Sequence, residues 1–185
     1  EFHLLKELFN YSFYFTKSVP KPISLFDYEG NNIMISEFVE GITLMPKINK
    51  NDIPQFYTVK QQYSLVVQFL ENYHNFLADT KRIKQQNPKT SQIIAALSKH
   101  FIFSDNDITH LKNVLDRKFN YSLQHGDFTR HNIIAKKESI TVIDWTDTDF
   151  KLVTDDYFYF VINYFLQIRG NTGIDSIINA FKNTF

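Results

Sequence analysis

The chain has 185 residues, 43% of them apolar and 22% charged, and its 20 Lys and Arg balance 20 Asp and Glu. This composition is typical of a folded globular chain, and a net charge of zero offers no basic surface for nucleic acid or anionic lipid. Because cysteine is absent, disulfides, thiol nucleophiles and cysteine-based zinc sites are excluded.

The first part of the chain is predicted to form one helix and two strands. Apolar residues recur at helical spacing over 2–9, and the Val19-Pro20-Lys21-Pro22 corner stops the helix because two prolines cannot continue it. Residues 23–27 and 33–38 have the composition of strands around a Glu-Gly-Asn-Asn turn. The proline-containing stretch 46–54 is predicted to be a loop and to separate this small part from a helical second part.

The second part opens with helices. Apolar residues recur every three or four positions over 56–77, which predicts a long helix with one buried face. The stretch 91–101 repeats this pattern on a smaller scale. Ser104, with Asp107 three residues later, resembles a capping box that opens a helix running to Leu115.

Short strands and further helices follow. Residues 121–125, 132–136 and 139–143 are β-like runs, the last two separated by a two-residue turn. A threonine-capped apolar helix over 154–169 and a short helix over 174–181 complete the predicted elements. We therefore expect an α+β fold.

The apolar segments are too short for a membrane protein. Residues 1–10 lack the basic start and apolar run of a signal peptide, and the most apolar stretch, 157–168, is too short to cross a bilayer. We expect a cytoplasmic protein without a membrane or nucleic-acid partner. The five glycines are scattered, so the chain contains no glycine-rich phosphate loop.

Polar side chains concentrate at the ends of the later strands. His125 and Asp127 follow one strand, Asn132 comes five residues after Asp127, and Asp144 ends the next hairpin. Carboxylates that converge repel each other unless a cation or a proton lies between them. Carboxylate and amide oxygens with waters are how Mg²⁺ is held when phosphates supply its other ligands.

Other interpretations of these residues stay open. Asp127 and Asp144 could each be an ordinary turn or cap residue. His125 and His131 could hold a transition metal together with Asp127, although their spacing matches no zinc pattern.

Three further features each have two interpretations. Asp147 and Asp149 are either solvated turn residues or part of an acidic pocket for a cationic acceptor. The aromatic run 157–160 fits a buried helix better than an aromatic cage for a quaternary ammonium. The basic run 81–84 fits a solvated helix end better than a nucleic-acid patch.

Two motifs resemble those of a known family. His125-Gly126-Asp127, with Asn132 five positions after the aspartate, is followed by Ile143-Asp144-Trp145. This order is similar to the catalytic and metal-binding loops of the aminoglycoside phosphotransferase and choline kinase group, His-Gly-Asp-(Leu/Phe)-x-x-x-Asn and Ile-Asp-(Trp/Phe). These proteins are small-molecule kinases with a protein-kinase-like fold.

The resemblance extends over nearly the whole chain. Val19-Pro20-Lys21-Pro22-Ile23 is similar to the family's entry into its fourth strand, and Ile35-Ser36-Glu37-Phe38-Val39-Glu40-Gly41 is similar to its hinge. Asp155 and Asp156 stand where the family begins a helix with an aspartate that supports the catalytic loop. The resemblance implies that Asp156, rather than Asp155, ties this loop through backbone amides.

The resemblance implies a protein-kinase-like fold of two lobes. Residues 1–41 would be a partial N-terminal lobe with an αC-like helix, two strands and the hinge, and 42–185 a mainly helical C-terminal lobe with the catalytic and metal-binding loops. Glu1, with Glu7 as the alternative, would be the αC glutamate that pairs the ATP-binding lysine. That lysine and the nucleotide-covering loop would lie upstream of residue 1, so we expect the chain to be part of a longer kinase.

The same resemblance implies a role for each site residue. Asp127 would be the catalytic base that accepts the proton of an acceptor hydroxyl, and His125 would support its loop. Asn132 and Asp144 would hold Mg²⁺ against the phosphates of ATP. In the hinge, the backbone groups of two residues would meet adenine, Glu37 and Val39.

The implied function is phosphorylation of a small-molecule hydroxyl, with ATP as the phosphoryl donor and Mg²⁺ as the cofactor. The acceptor would be aminoglycoside-, amino-alcohol- or sugar-like. Arg130 stands where the family carries a proline, which implies either a neutral change or a contact to phosphate or to an anionic acceptor. The alternative function is a non-catalytic binding module, a pseudokinase that lacks the ATP lysine.

Overall fold

A computed structural model of the chain describes residues 1–44, 59–136 and 138–169, together with the single positions 179 and 182. The predicted boundary loop 46–54 lies outside these residues, as does nearly all of the predicted helix 174–181. In the part that is described, no helix is both long enough and apolar enough to cross a membrane.

The first part of the chain forms the predicted helix and hairpin. The opening helix buries Leu4, Leu5 and Leu8 on one face. The hairpin turn has two residues rather than the four predicted, because Glu29 and Gly30 both take positive φ, 52° and 79°, and so reverse the chain tightly. The elements are α1 (Phe2–Tyr11), α2 (Phe15–Ser18), β1 (Pro22–Tyr28), β2 (Asn31–Ser36) and β3 (Ile42–Thr43).

The helical part contains the predicted long helix, whose buried positions include Val66, Phe69 and Tyr73. The elements are α3 (Val59–Asp79), β4 (Lys84–Gln86), α4 (Thr90–Leu97) and α5 (Asp105–Leu115). The predicted helix 91–101 is therefore shorter than expected. The basic run 81–84 follows the end of α3: Lys81 takes a left-handed φ of 56° and the Arg82 N–H donates to Leu77 O at 2.7 Å, a common way for a helix to end, and Lys84 starts β4.

The capping box of α5 is confirmed. The backbone N–H of Asp107 donates to Ser104 Oγ at 3.2 Å, and the backbone N–H of Ser104 donates to Asp107 Oδ2 at 2.9 Å. This carboxylate accepts two bonds from Ser104, and they lower the pKa of Asp107.

The last described part alternates short strands with one helix. Its elements are β5 (Phe119–Gln124), a 3₁₀ turn (Arg130–Asn132), β6 (Ile133–Lys136), β7 (Ser139–Val142), β8 (Asp149–Leu152) and α6 (Asp155–Arg169). Besides the β1–β2 hairpin, two three-stranded antiparallel sheets form, in the orders β3-β6-β7 and β4-β5-β8. The α+β class predicted from the sequence is confirmed, whereas the division into lobes at residue 41 stays a prediction.

One hydrophobic core joins α1, α3, the β6–β7 hairpin and α6. Trp145 is at its centre, with its ring centroid 5.4 Å from that of Tyr73 and 6.3 Å from that of Phe69. Phe128 also stacks on Phe69, with the ring centroids 5.8 Å apart. Because Phe128 and Trp145 belong to the two segments that carry the candidate site, this core fixes the two segments relative to each other.

Candidate active site

The candidate site lies on two connecting segments. The first loop is residues 125–132, between β5 and β6, and the second loop is residues 143–148, which follows β7. One backbone bond and one side-chain bond join them: Ile143 N donates to Asn132 O at 2.9 Å, and the His125 ring nitrogen Nε2 donates to Ile143 O at 2.9 Å.

The start of the first loop is tied to helix α6. Asp156, in the first turn of α6, is 2% exposed, and its carboxylate accepts from the backbone N–H groups of His125 at 2.7 Å and Gly126 at 3.1 Å. Burial raises the pKa of Asp156, and the two amide donors oppose that shift. The tie through backbone amides that was predicted for Asp156 is therefore present.

Asp127 is held by the side chain of Asn132. The Asn132 amide nitrogen donates to the Asp127 backbone carbonyl at 2.9 Å and to its carboxylate Oδ2 at 2.8 Å. The Thr129 N–H donates to the same carbonyl at 2.8 Å. Since the amide nitrogen of Asn132 is directed at Asp127, the amide oxygen is the atom of this side chain that can bind a cation.

His125 is a buried neutral residue that supports both loops. A carbonyl oxygen only accepts, so the bond to Ile143 O requires that Nε2 carry the proton. The ring packs against Trp145 at 4.7 Å and Phe128 at 5.7 Å. Burial lowers the pKa of His125, and this effect outweighs the opposing bond to Ile143 and the carboxylates nearby.

The alternative transition-metal site does not form. Within the described ranges, no three His, Cys, Asp or Glu side chains are grouped so that they could hold a metal ion. His125 directs Nε2 at a carbonyl, and His131 is exposed.

Asp144, in the second loop, is exposed and takes a left-handed φ of 59°. Its Oδ1 accepts from the Thr146 hydroxyl at 2.6 Å. The next residue, Trp145, is buried and donates its indole N–H to Val142 O at 3.1 Å. The left-handed residue thus turns the chain between a buried strand and a buried ring, and leaves its own carboxylate at the surface.

Glu1 and Glu7 lie in different surroundings. Glu1 Oε1 accepts from the backbone N–H of Trp145 at 3.3 Å, so its carboxylate lies beside the second loop. Glu7 forms an ion pair with Arg82, whose guanidinium lies over the Phe76 ring. Of the two alternatives, the structure brings only Glu1 to the candidate site.

The predicted hinge residues lie between β2 and β3. Glu37 is exposed and donates its N–H to Lys21 O at 2.9 Å, while Val39 is half-buried. Over the described stretches, no hydrogen bond joins either residue to the first or second loop. The structure therefore places them near the chain that leads into β3, and does not bring them into direct contact with Asp127 or Asp144.

Asp147 and Asp149 occupy different positions. The Asp147 carbonyl lies against Gly126, only 2.0 Å from where a Cβ on that glycine would be. Asp149 is not a turn residue, because it begins β8 and pairs with Gln124. Arg130 directs Nη1 at Leu44 O at 3.4 Å, and its buried Nε has no hydrogen-bond partner among the described residues.

One residue of the site was missed from the sequence. The run 157–160 was expected to be buried, but only Phe160 is, and Tyr159 is 42% exposed, with a pKa raised by burial and by the neighbouring Asp127 carboxylate. The available signal was spacing: Tyr159 follows Asp156 by three residues and therefore shares a helix face with it.

Comparison with known proteins adds one finding. A family model described as the phosphotransferase enzyme family matches residues 1–181. No curated protein matches the chain.

Proposed function

Because the chain belongs to the phosphotransferase enzyme family, we propose that it transfers the γ-phosphoryl group of ATP to a hydroxyl of a small molecule. The observation that supports this best is the hydrogen-bonded pair of Asp127 and Asn132, held next to the Asp144 turn. A carboxylate and an amide fixed in this way suit phosphoryl transfer, which requires positioning and charge neutralisation more than covalent chemistry.

Asp127 is the proposed catalytic base. Its carboxylate orients the acceptor hydroxyl and takes the proton as the oxygen bonds to the γ-phosphorus and the bond to the β-phosphate oxygen breaks, releasing ADP. Burial of His125 and Asp156 beneath it supports this role, because both fix the backbone from which Asp127 projects.

Asn132 and Asp144 are the proposed ligands of Mg²⁺. The Asn132 amide oxygen and the exposed Asp144 carboxylate are oxygen donors, the kind this ion prefers, and two protein donors suffice when phosphates and waters complete the shell. The bound ion supplies positive charge against the phosphates. The Thr146 hydroxyl, bonded to Asp144 Oδ1, orients the carboxylate for this contact.

Three residues of the first part are proposed to serve the nucleotide. The backbone groups of Glu37 and Val39 would meet adenine, and Glu1 would pair the ATP-binding lysine of a two-lobed kinase. The position of the Glu1 carboxylate, beside the Trp145 amide, supports an orientation toward the phosphate end of the nucleotide. The acceptor is proposed to be aminoglycoside-, amino-alcohol- or sugar-like.

The test is a measurement of ADP release and product mass with ATP, Mg²⁺ and a panel of amino-alcohol, sugar and aminoglycoside acceptors. Asp127→Asn is expected to lower kcat by about two to four orders of magnitude, the size of general-base catalysis. Asp155→Asn changes the half-buried acidic residue just before Asp156; it is the matched control and is expected to keep the wild-type rate.

Equal rates for wild type and Asp127→Asn would contradict the assignment of the base. Nucleotide binding without turnover of any acceptor would instead favour the pseudokinase-like binding module. Asp144→Ala is expected to raise the Mg²⁺ concentration needed for half-maximal rate, and an unchanged requirement would remove its role as a metal ligand.

A further inference from the structure

Arg130 is a cation of the first loop that the proposed reaction does not use. It is half-buried and begins the 3₁₀ turn, three residues after Asp127. The turn is wound tightly against the proposed base, because the Asn132 side chain bonds the Asp127 carboxylate and the Thr129 N–H bonds the Asp127 carbonyl. One short segment therefore carries both a guanidinium and the carboxylate that is to receive the acceptor hydroxyl.

The contacts of the Arg130 guanidinium are few. Nη1 donates to Leu44 O at 3.4 Å, which is long for a hydrogen bond, and the buried Nε has no hydrogen-bond partner among the described residues. Arg130 also takes part in no ion pair within the described part of the chain. Its positive charge is therefore not balanced by any carboxylate of those residues.

This arrangement favours an anionic ligand. A guanidinium is not deprotonated in proteins, so Arg130 stays charged although it is half-buried. A partly buried charge with unpaired donors costs free energy, whereas a guanidinium bound to an oxyanion forms two parallel charge-assisted hydrogen bonds. Carboxylate and phosphate groups match the planar donor set of arginine, and neutral or cationic groups do not.

We propose that Arg130 is a specificity-determining residue that binds a carboxylate or phosphate group of the acceptor while the acceptor hydroxyl lies at Asp127. The proposal rests on the proposed function, and it narrows the acceptor to an amino-alcohol- or sugar-like compound that carries an oxyanion. That oxyanion is unchanged by the reaction. Only the hydroxyl oxygen bonds to the γ-phosphorus, its proton passes to Asp127, and ADP leaves.

A purely structural role of Arg130 would give a different result. If the guanidinium only joined the first loop to Leu44, its loss would lower the melting temperature and would affect all acceptors alike. A preference between two acceptors that differ by an oxyanion is therefore the quantity to measure, because stability alone does not change it.

The experiment uses sets of compounds that differ chiefly by an oxyanion. Ethanolamine is compared with L-serine, and D-glucose with D-glucuronate and D-glucose 6-phosphate, so that the second set separates a carboxylate from a phosphate. Calorimetric titration gives Kd and steady-state kinetics with ATP and Mg²⁺ give kcat/KM, at one ionic strength. The proteins are wild type, Arg130→Gln, Arg130→Lys and Arg117→Gln.

Wild type is expected to prefer at least one anionic compound to its neutral counterpart in both measurements. Arg130→Gln should lower this preference by about 10- to 100-fold, the size of hydrogen bonds to a charged group, and leave KM for ATP unchanged. Arg130→Lys keeps the charge without the planar fork and should lose part of the preference, which also provides a measurement if Arg130→Gln does not fold. Arg117→Gln removes the same charge from an exposed position and should keep the preference.

Three outcomes would overturn the proposal and leave the proposed function standing, provided that some acceptor is phosphorylated. They are a wild type without preference for the anionic compounds, a preference that survives in Arg130→Gln, and a raised KM for ATP with unchanged preference, which would assign Arg130 to the nucleotide. Binding of an anionic compound that depends on Arg130, without phosphoryl transfer to any acceptor, would instead overturn the proposed function and support the oxyanion site.

Discussion

The first and second loops differ in what holds them. The first loop is tied by buried groups, the Asp156 carboxylate on its amides and the Asn132 side chain on Asp127. Asp144 in the second loop is exposed, takes a left-handed φ and is bonded through its side chain to the exposed Thr146. The core therefore fixes the proposed base Asp127 and its partner Asn132, whereas a local turn conformation fixes the other proposed metal ligand, Asp144.

The largest effect is expected where the two loops touch. Gly126 has φ 91°, and a Cβ there would lie 2.0 Å from the Asp147 carbonyl oxygen. Gly126→Ala should therefore lower the free energy of unfolding by about 3 kcal/mol or more, as left-handed strain and overpacking add. Urea denaturation measures this loss.

Gly30→Ala is the control for strain alone. Gly30 has φ 79°, yet a Cβ there would meet nothing within 4 Å. Its loss should be about 1 kcal/mol. If the two variants lost the same stability, the contact between the loops would have no energetic importance.

The second effect tests the tie between the first loop and α6. Asp156→Asn replaces one accepting oxygen by an amide nitrogen that faces a backbone N–H, so a buried donor loses its partner. The free energy of unfolding should fall by about 2 kcal/mol. Asp155→Asn, one residue earlier and half-buried, should change it by less than about 0.5 kcal/mol, because its only ion-pair partner among the described residues is Lys151 at 4.0 Å. Similar losses would mean that the tie does not stabilise the fold.

The elements that the sequence predicted correctly are those with a local cause. The helical spacing of α1 and α3, the capping box of Ser104 and Asp107 and the β6–β7 hairpin all depend on residues close in sequence. β3, β4 and β8 were not predicted. Each is two to four residues long and pairs with a strand far along the chain, so no local pattern marks it.

The candidate site divides in the same way. The residues quoted in the two motifs lie on the two loops, because short strands carry them to adjacent positions. The exposure of Tyr159 was missed because an aromatic run is typical of a buried helix. Which residues of α6 face the first loop depends on how the helix is rotated against that loop. That rotation is set by long-range contacts, among them Asp156 on the loop amides and Phe160 on Phe128.

The third effect depends on pH and concerns His125, which joins the loops. Burial lowers the pKa of His125, so the unfolded chain takes up a proton near the ordinary value of 6.5 before the folded chain does. The free energy of unfolding should therefore fall as pH decreases through 6.5. Burial raises the pKa of Asp156, which has the opposite sign, so the measured quantity is the difference between wild type and a variant.

His125→Gln keeps a donor for Ile143 O and removes the titrating ring, so it should lose this fall in stability and cost about 1 kcal/mol at pH 7. His131→Gln, exposed and in the same loop, should keep the fall. Denaturation series between pH 7.5 and about 5.5, spanning the ordinary histidine pKa, test both expectations. An identical pH dependence for wild type and His125→Gln would show that the ring is not a buried neutral group.

The smallest effect on stability is expected at Asp144. Its substitution by glycine should not lower the free energy of unfolding. Glycine adopts the left-handed conformation without strain, whereas it loses more backbone entropy on folding, and these effects nearly cancel. Asp144→Gly should therefore change the free energy of unfolding by between 0 and about +1 kcal/mol while it lowers kcat and raises the Mg²⁺ requirement.

Glu29→Gly is the matched control, since Glu29 also has a left-handed φ, of 52°, and lies in the β1–β2 turn. It should alter stability to the same small extent and leave kcat unchanged. A clear loss of stability in Asp144→Gly, beyond that of Glu29→Gly, would mean that the Asp144 carboxylate helps to hold the second loop. The two loops would then be alike, because side-chain hydrogen bonds would fix Asp144 in the second loop as they fix Asp127 in the first.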